Sequence, residues 1–172
     1  LTEDTALPPA ENRYFLIPQG HEPPELGGNY MHLEIAKWMV AAAAVYGFGG
    51  LIADAVVPST SRQHLWNAAW PPHAKFHNGQ TMLLGIFGGS LSLCMLFGFG
   101  PLTPRMFFLA AAAAAMYWFS MALAPFFPGT AWYDPEFKDA SSRPLGLSPQ
   151  QLLSYVLCGL IVVAVILASI SA

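Results

Sequence analysis

Residues 64 to 80, HLWNAAWPPHAKFHNGQ, hold the densest set of groups able to do chemistry in this chain. They carry three imidazoles, His64, His73 and His77, with Asn78 and Gln80 beside them. Asp54 stands shortly before them, at the end of an apolar run. Imidazole titrates near neutral pH, so a histidine paired with Asp54 can act as a general base. Histidines at i and i+4 can share one metal ion, with a carboxylate as a further ligand. A single imidazole can also ligate a tetrapyrrole metal. The same residues suit a simpler task. Trp66 and Trp70 are ordinary anchors at a membrane interface, and Lys75 can extend its charge to water. On that reading the stretch only locks a loop. No glutamate completes a zinc-hydrolase motif, and no phosphate loop or thiolate cluster is present. Spacing alone therefore assigns no metal site.

A helix opening near Pro72 places His73, His77, Gln80 and Thr81 at i, i+4, i+7 and i+8, on one face. Asp134 and Glu136 belong to a later loop on the same side of the bundle. Asp54, His64, His73, His77, Asn78 and Gln80 are thus expected to converge at one boundary, joined by Asp134 or Glu136.

The elements that must position them are apolar helices. The chain of 172 residues is 55% hydrophobic and 10% charged, and its mean hydropathy is +0.45. Soluble domains carry about 25% charged residues. Seven Lys and Arg with ten Asp and Glu cannot cover a soluble surface. The net charge of −3 lacks the basic footprint that nucleic acid requires. Four apolar runs, at about 33–57, 79–100, 105–127 and 150–170, are each long enough to cross a hydrocarbon core of about 30 Å. Backbone groups in lipid must bond internally, so helices are forced. The expected fold is all-α, an integral membrane four-helix transmembrane bundle over residues 30–172.

Prolines mark the ends. Pro71 and Pro72 open the second helix, Pro104 the third, and Ser148-Pro149 the fourth as a cap followed by proline. Pro125 kinks the end of the third. Residues 1–29 contain two Pro-Pro pairs and one Gly-Gly, and read as an extended Pro-rich N-terminal arm. They lack the basic and apolar regions of a signal peptide. Gly85 and Gly89, with the alanine run 110–115, mark close packing within the chain or against another subunit. Tyr117, Trp118 and Phe119 read as core or lipid-facing aromatics. Cys94 and Cys158 read as buried thiols.

Four spans put both ends of the bundle on one side. Arg13, Lys37 and Arg105 lie there, against Arg62, Lys75, Lys138 and Arg143 on the other. That near balance assigns no orientation. No charge falls near the middle of any span, which argues against a transporter.

The stretch HLWNAAWPPHAKFHNG, following a span that ends in Asp54, resembles the signature of an uncharacterised family of small four-span membrane proteins. The resemblance runs over about residues 34 to 127. It is carried by Asp54, His64, Trp70, Pro71, Pro72, His73, Phe76 and His77, in a loop of the form WPPHAxFH. It implies the four-span architecture and no particular activity. In size and span number the chain is also similar to small four-span enzymes of the anthrone-oxygenase and sterol-isomerase kinds, though none of their functional residues is matched.

Two functional expectations follow. The first is an accessory subunit of a multi-subunit membrane complex, photosynthetic or respiratory. In it His64, His73, His77 and Gln80 touch a tetrapyrrole pigment, a quinone or a bound lipid. The second is a small membrane-embedded enzyme, an isomerase, cyclase or oxygenase, working on a lipophilic substrate through Asp54, His73 and His77. Both have membrane lipids as surroundings, and the first adds other membrane subunits as partners.

Overall fold

A computed structural model describes residues 26–137 and 143–170, with side chains from Tyr30 onward. Among the described residues the chain is all-α. The helices are α1 (Leu26–Tyr46), α2 (Gly49–Leu51), α3 (Pro58–Ser61), α4 (Pro72–Phe97), α5 (Pro104–Leu123) and α6 (Pro149–Ser169). Four segments are long and apolar enough to cross a membrane: Tyr30–Val56, Pro72–Phe97, Pro104–Phe126 and Pro149–Ser169. α1 packs on α4 and α6, and α5 packs on the same two from the opposite corner.

The capping signals act as expected. Thr103 accepts from the Met106 N–H at 3.2 Å ahead of α5, and Ser148 accepts from the Gln151 N–H at 3.1 Å ahead of α6. Each satisfies a donor that a helix start leaves free. Pro125 falls in a 3-10 turn, Ala124–Phe126, that ends the third span.

Two boundaries differ from expectation. Leu26–Asn29 belong to α1 rather than to the arm. Gly27 and Gly28 stand in its first turn, where the N–H groups need no partner within the helix, so glycine there breaks no bonds. Residues 1–25, the remainder of the expected arm, lie outside the described residues. The second helix opens at Pro72, as its proline pair predicts, and its polar turn from His73 to Asn78 precedes the apolar run at Gly79. The first span is not one continuous helix. It breaks after Tyr46, turns through Gly47 and Phe48, and finishes as a π turn at Ile52–Val56.

The break lies where two backbones meet. A Cβ on Gly47 would sit 3.0 Å from the Gly85 carbonyl oxygen. One on Gly85 would collide with the Gly47 carbonyl and press on the Tyr117 ring. Gly89 meets the Ala44 carbonyl, and Gly88 that of Ala113, in the same way. Only glycine allows carbonyl-to-backbone approach at this range. The core beside this contact is built from small residues: Ala36, Ala43 and Ala44 on α1, Ala110, Ala111 and Ala114 on α5, and Ala164 and Ala168 on α6, with Phe107 and Trp118 between them. The buried Trp118 indole N–H donates to the Ala43 carbonyl at 2.9 Å, and the Ser154 hydroxyl donates to the Trp118 carbonyl at 3.3 Å. α1, α5 and α6 are thus tied at one level. Of the two cysteines, both free thiols, Cys94 faces outward and Cys158 is half-buried. The buried-thiol expectation therefore fails for Cys94.

Two glycine substitutions on α4 test this packing in opposite directions. Gly85→Val destabilises by about 1–3 kcal/mol through overpacking. Gly79→Ala, whose Cβ meets nothing, stabilises by roughly 0.5–1 kcal/mol as a helix-interior glycine removed. Thermal unfolding of both variants in mild detergent reads the difference.

Candidate functional site

The site grows out of the π turn. Val57 N–H closes that turn on the Ile52 carbonyl at 2.9 Å. Single π turns inside helices are uncommon and recur at functional sites. Here the turn leaves Ala53, Asp54 and Ala55 with carbonyls that no further helix satisfies. The chain then folds back and supplies donors to each. Thr60 Oγ1 donates to Ala53 O at 2.5 Å. Leu65 N donates to Asp54 O at 3.4 Å. Trp66 Nε1 donates to Ala55 O at 3.0 Å.

This folding back carries His64 to Asp54. His64 Nδ1 lies 2.9 Å from the Thr60 carbonyl and 3.4 Å from Asp54 Oδ1. Both neighbours are acceptors, so Nδ1 must carry the proton. Nε2 is then the basic nitrogen of the neutral ring. From the other side, Asn78 Nδ2 donates to Asp54 Oδ2 at 2.8 Å. The Trp70 ring meets His64 edge-on at 5.7 Å, and its indole N–H donates to Asp134 Oδ2 at 3.1 Å. Two carboxylates from distant parts of the chain are thereby linked through His64 and Trp70.

Asp54, His64, Trp70 and Asp134 border a cavity of about 460 Å³. Gly50, Ala53 and Asp54 form one wall, Tyr117, Trp118 and Met121 of α5 a second, and Gln150 and Leu153 of α6 a third. Trp132, Tyr133 and Asp134 close over it from the loop before α6. Gly50 has a steric reason to be glycine, since a Cβ there would collide with the Tyr117 hydroxyl. Tyr117 stands nine residues before Phe126, the end of its span. At the rise of a helix that is about 14 Å inside the bundle.

A family of unknown function, DUF6640, matches residues 38–161. The chain belongs to that family. The DUF6640 match takes in every wall of the cavity, from Tyr46 to Leu153. It also reaches beyond the 34–127 stretch on which the family resemblance rests. No curated protein and no solved structure matches the chain.

The structure divides the expected convergence into two groups. Asp54, His64 and Asn78 meet, and Asp134 joins them through Trp70. His73, His77 and Gln80 do not join this group. Their side chains are exposed, and they bond to one another. His77 Nε2 lies 3.1 Å from His73 Nε2, and His77 Nδ1 lies 3.2 Å from Gln80 Oε1. Neither ring pairs with Asp54, whose oxygens are taken by Asn78 and His64. An Asp54–His73–His77 constellation is therefore not formed. The reason is helical geometry. Asn78 continues inward as Met82, Gly85 and Gly89, all buried, whereas His73 and His77 continue outward as Leu84, Phe87 and Leu91, all exposed. Glu136 is exposed and takes no part in the cavity.

Tyr117, Trp132 and Gln150 line the site although no motif in the sequence marks them for it. Tyr117 is half-buried and packs against the core, as expected of it, and it also lines the cavity. One signal did point inward: the small residues Gly85 and Gly89 at i+7 and i+11 from Asn78 mark the packed face of α4.

The division predicts unequal costs on one helix. Asn78→Leu leaves Asp54 short of a donor and destabilises by about 1–3 kcal/mol. His73→Ala, on the exposed face, stays within about 0.5 kcal/mol. Denaturation midpoints of the two variants check the order.

Proposed function

We propose that this chain is an integral membrane protein whose cavity binds a small amphiphilic molecule and moves a proton on it. The observation that carries this reading is the oriented Asp54–His64 pair in the wall of a cavity of mixed aromatic, apolar and polar lining. Its volume falls within the usual range for small-molecule sites, roughly 300–1,000 Å³. Ionisable groups at the end of a span are costly to keep unless something uses them. His64 Nε2 is the base: it takes a proton from carbon while Asp54 stabilises the charge that forms on the ring. His64 then returns that proton to a different carbon of the same molecule, while the Tyr117 hydroxyl, in the same cavity, is placed to donate to a developing oxyanion. The net reaction is an isomerisation, in which one C–H bond breaks and another forms and no oxidant is needed. This retains the membrane-enzyme expectation and moves its working histidine from His73 and His77 to His64.

The accessory-subunit reading draws less support. Its glycine faces are spent on contacts inside the chain, Gly85 against Gly47 and Gly89 against Ala44. Residues 1–25 of the arm that motivated it lie outside the described residues.

The test works with an unidentified substrate. Protein purified in mild detergent is extracted with organic solvent and its retained molecules identified by mass spectrometry. Wild type is expected to retain one amphiphile near stoichiometry, and Ala53→Trp, which fills the cavity, to lose it. In heavy water the retained molecule gains carbon-bound deuterium with wild type but not with His64→Gln. Equal retention by wild type and Ala53→Trp removes the binding site. Retention without carbon-bound deuterium removes the proton transfer.

A further inference from the structure

The second histidine group faces away from the cavity and needs its own account. His73 and His77 stand one turn apart at the start of α4, with ring centroids 4.5 Å apart and their planes nearly perpendicular. Their Nε2 atoms lie 3.1 Å apart. Two imidazole nitrogens on one tetrahedral zinc ion, at about 2.0–2.1 Å each, are about 3.3 Å apart. The two donors therefore already stand at the spacing of a shared ion, and only the proton between them has to give way.

The tautomers favour the exchange. Gln80 Oε1 lies 3.2 Å from His77 Nδ1, and an amide oxygen can only accept, so Nδ1 is protonated. His77 Nε2 then carries a lone pair, and the bridging proton sits on His73 Nε2. Moving that proton to His73 Nδ1 presents two lone pairs to one point. A ligand histidine whose other nitrogen donates to an oxygen is the usual arrangement at metal sites. Gln80 supplies that oxygen here.

Water can reach the pair. α4 has 26 residues, about 39 Å at the rise of a helix, against about 30 Å of hydrocarbon. The surplus falls at its polar first turns, where His73 and His77 lie and both are exposed. No third His, Cys, Asp or Glu joins them among the described residues.

We infer that His73 and His77 form a two-histidine site for a borderline divalent transition ion, oriented by Gln80 and with its remaining positions filled by water. The site lies on the outer face of α4 and is separate from the Asp54–His64 cavity, so either can fail without the other.

Copper(II) is the most sensitive probe, since nitrogen sites bind it most tightly among the first-row divalent ions. Protein without a polyhistidine tag, stripped by chelator in detergent, is titrated with Cu²⁺ alone and followed by electron paramagnetic resonance. The expected result is one tightly held ion per chain with two nitrogen ligands. His73→Gln and His77→Gln each weaken binding by at least about tenfold, and Gln80→Leu by about tenfold through loss of the orienting oxygen. His32→Gln, at the opposite end of the bundle, leaves it unchanged. All three α4 side chains are exposed, so these variants keep the unfolding midpoint of wild type. Failure to take up Cu²⁺ at about a hundred micromolar, a weaker site than two oriented imidazoles provide, overturns the inference. Uptake that survives both histidine substitutions overturns it equally.

Discussion

Three consecutive carbonyls, those of Ala53, Asp54 and Ala55, set the terms for the rest of the site. The first span ends in a π turn, and no helix follows to satisfy them. Inside a bundle an unpaired carbonyl is costly. The chain meets that cost by folding back and presenting Thr60 Oγ1, Leu65 N and Trp66 Nε1, one donor to each. Everything that makes the site chemically interesting is carried along by this return. It brings His64 to Asp54, swings Trp70 toward Asp134, and leaves an open space between the broken span and α5.

The return depends in turn on how closely α1 approaches α4. Gly47 and Gly85 meet backbone to backbone, and Gly89 meets Ala44. Just before the break, Ala43 O accepts both the Gly47 N–H at 3.2 Å and the Trp118 indole N–H, so the helix is tied to α5 beside its interruption. Small residues thus serve two ends. They hold four helices close, and they permit the first of them to change course where the cavity forms.

α4 shows how much depends on rotation about a helix axis. Neighbouring residues point about 100° apart, so Asn78 and His77 serve unrelated surroundings. Asn78 reaches Asp54 and completes the inner site. His77 faces outward and finds His73 and Gln80. The two histidine groups lie close in sequence and are divided by the body of the helix. A cavity group with a polarised base and an outward pair with converging nitrogens are chemically different objects, although their residue types are the same.

Much of this was legible in the sequence. Four apolar runs separated by proline and glycine determine an all-α bundle with spans of membrane length, because apolar helices of that length have few other places to go. Proline and serine set where α5 and α6 begin. The clustering of Asp54, His64, Asn78 and Asp134 at one end followed from the alternation of the spans. The direction that each face of α4 takes was not legible, because apolar residues surround most of that helix and the polar face of His73, His77 and Gln80 does not itself say whether it turns inward or outward. The π turn was hidden for a related reason: glycines signal weakness in a helix but not the form that the break takes. Tyr117 joined the site only because Gly50, far away in the chain, leaves room for its hydroxyl. Sequence determined the elements and the end of the bundle at which chemistry gathers. Tertiary packing, acting through backbone contacts that only glycine permits, decided which histidine meets the carboxylate.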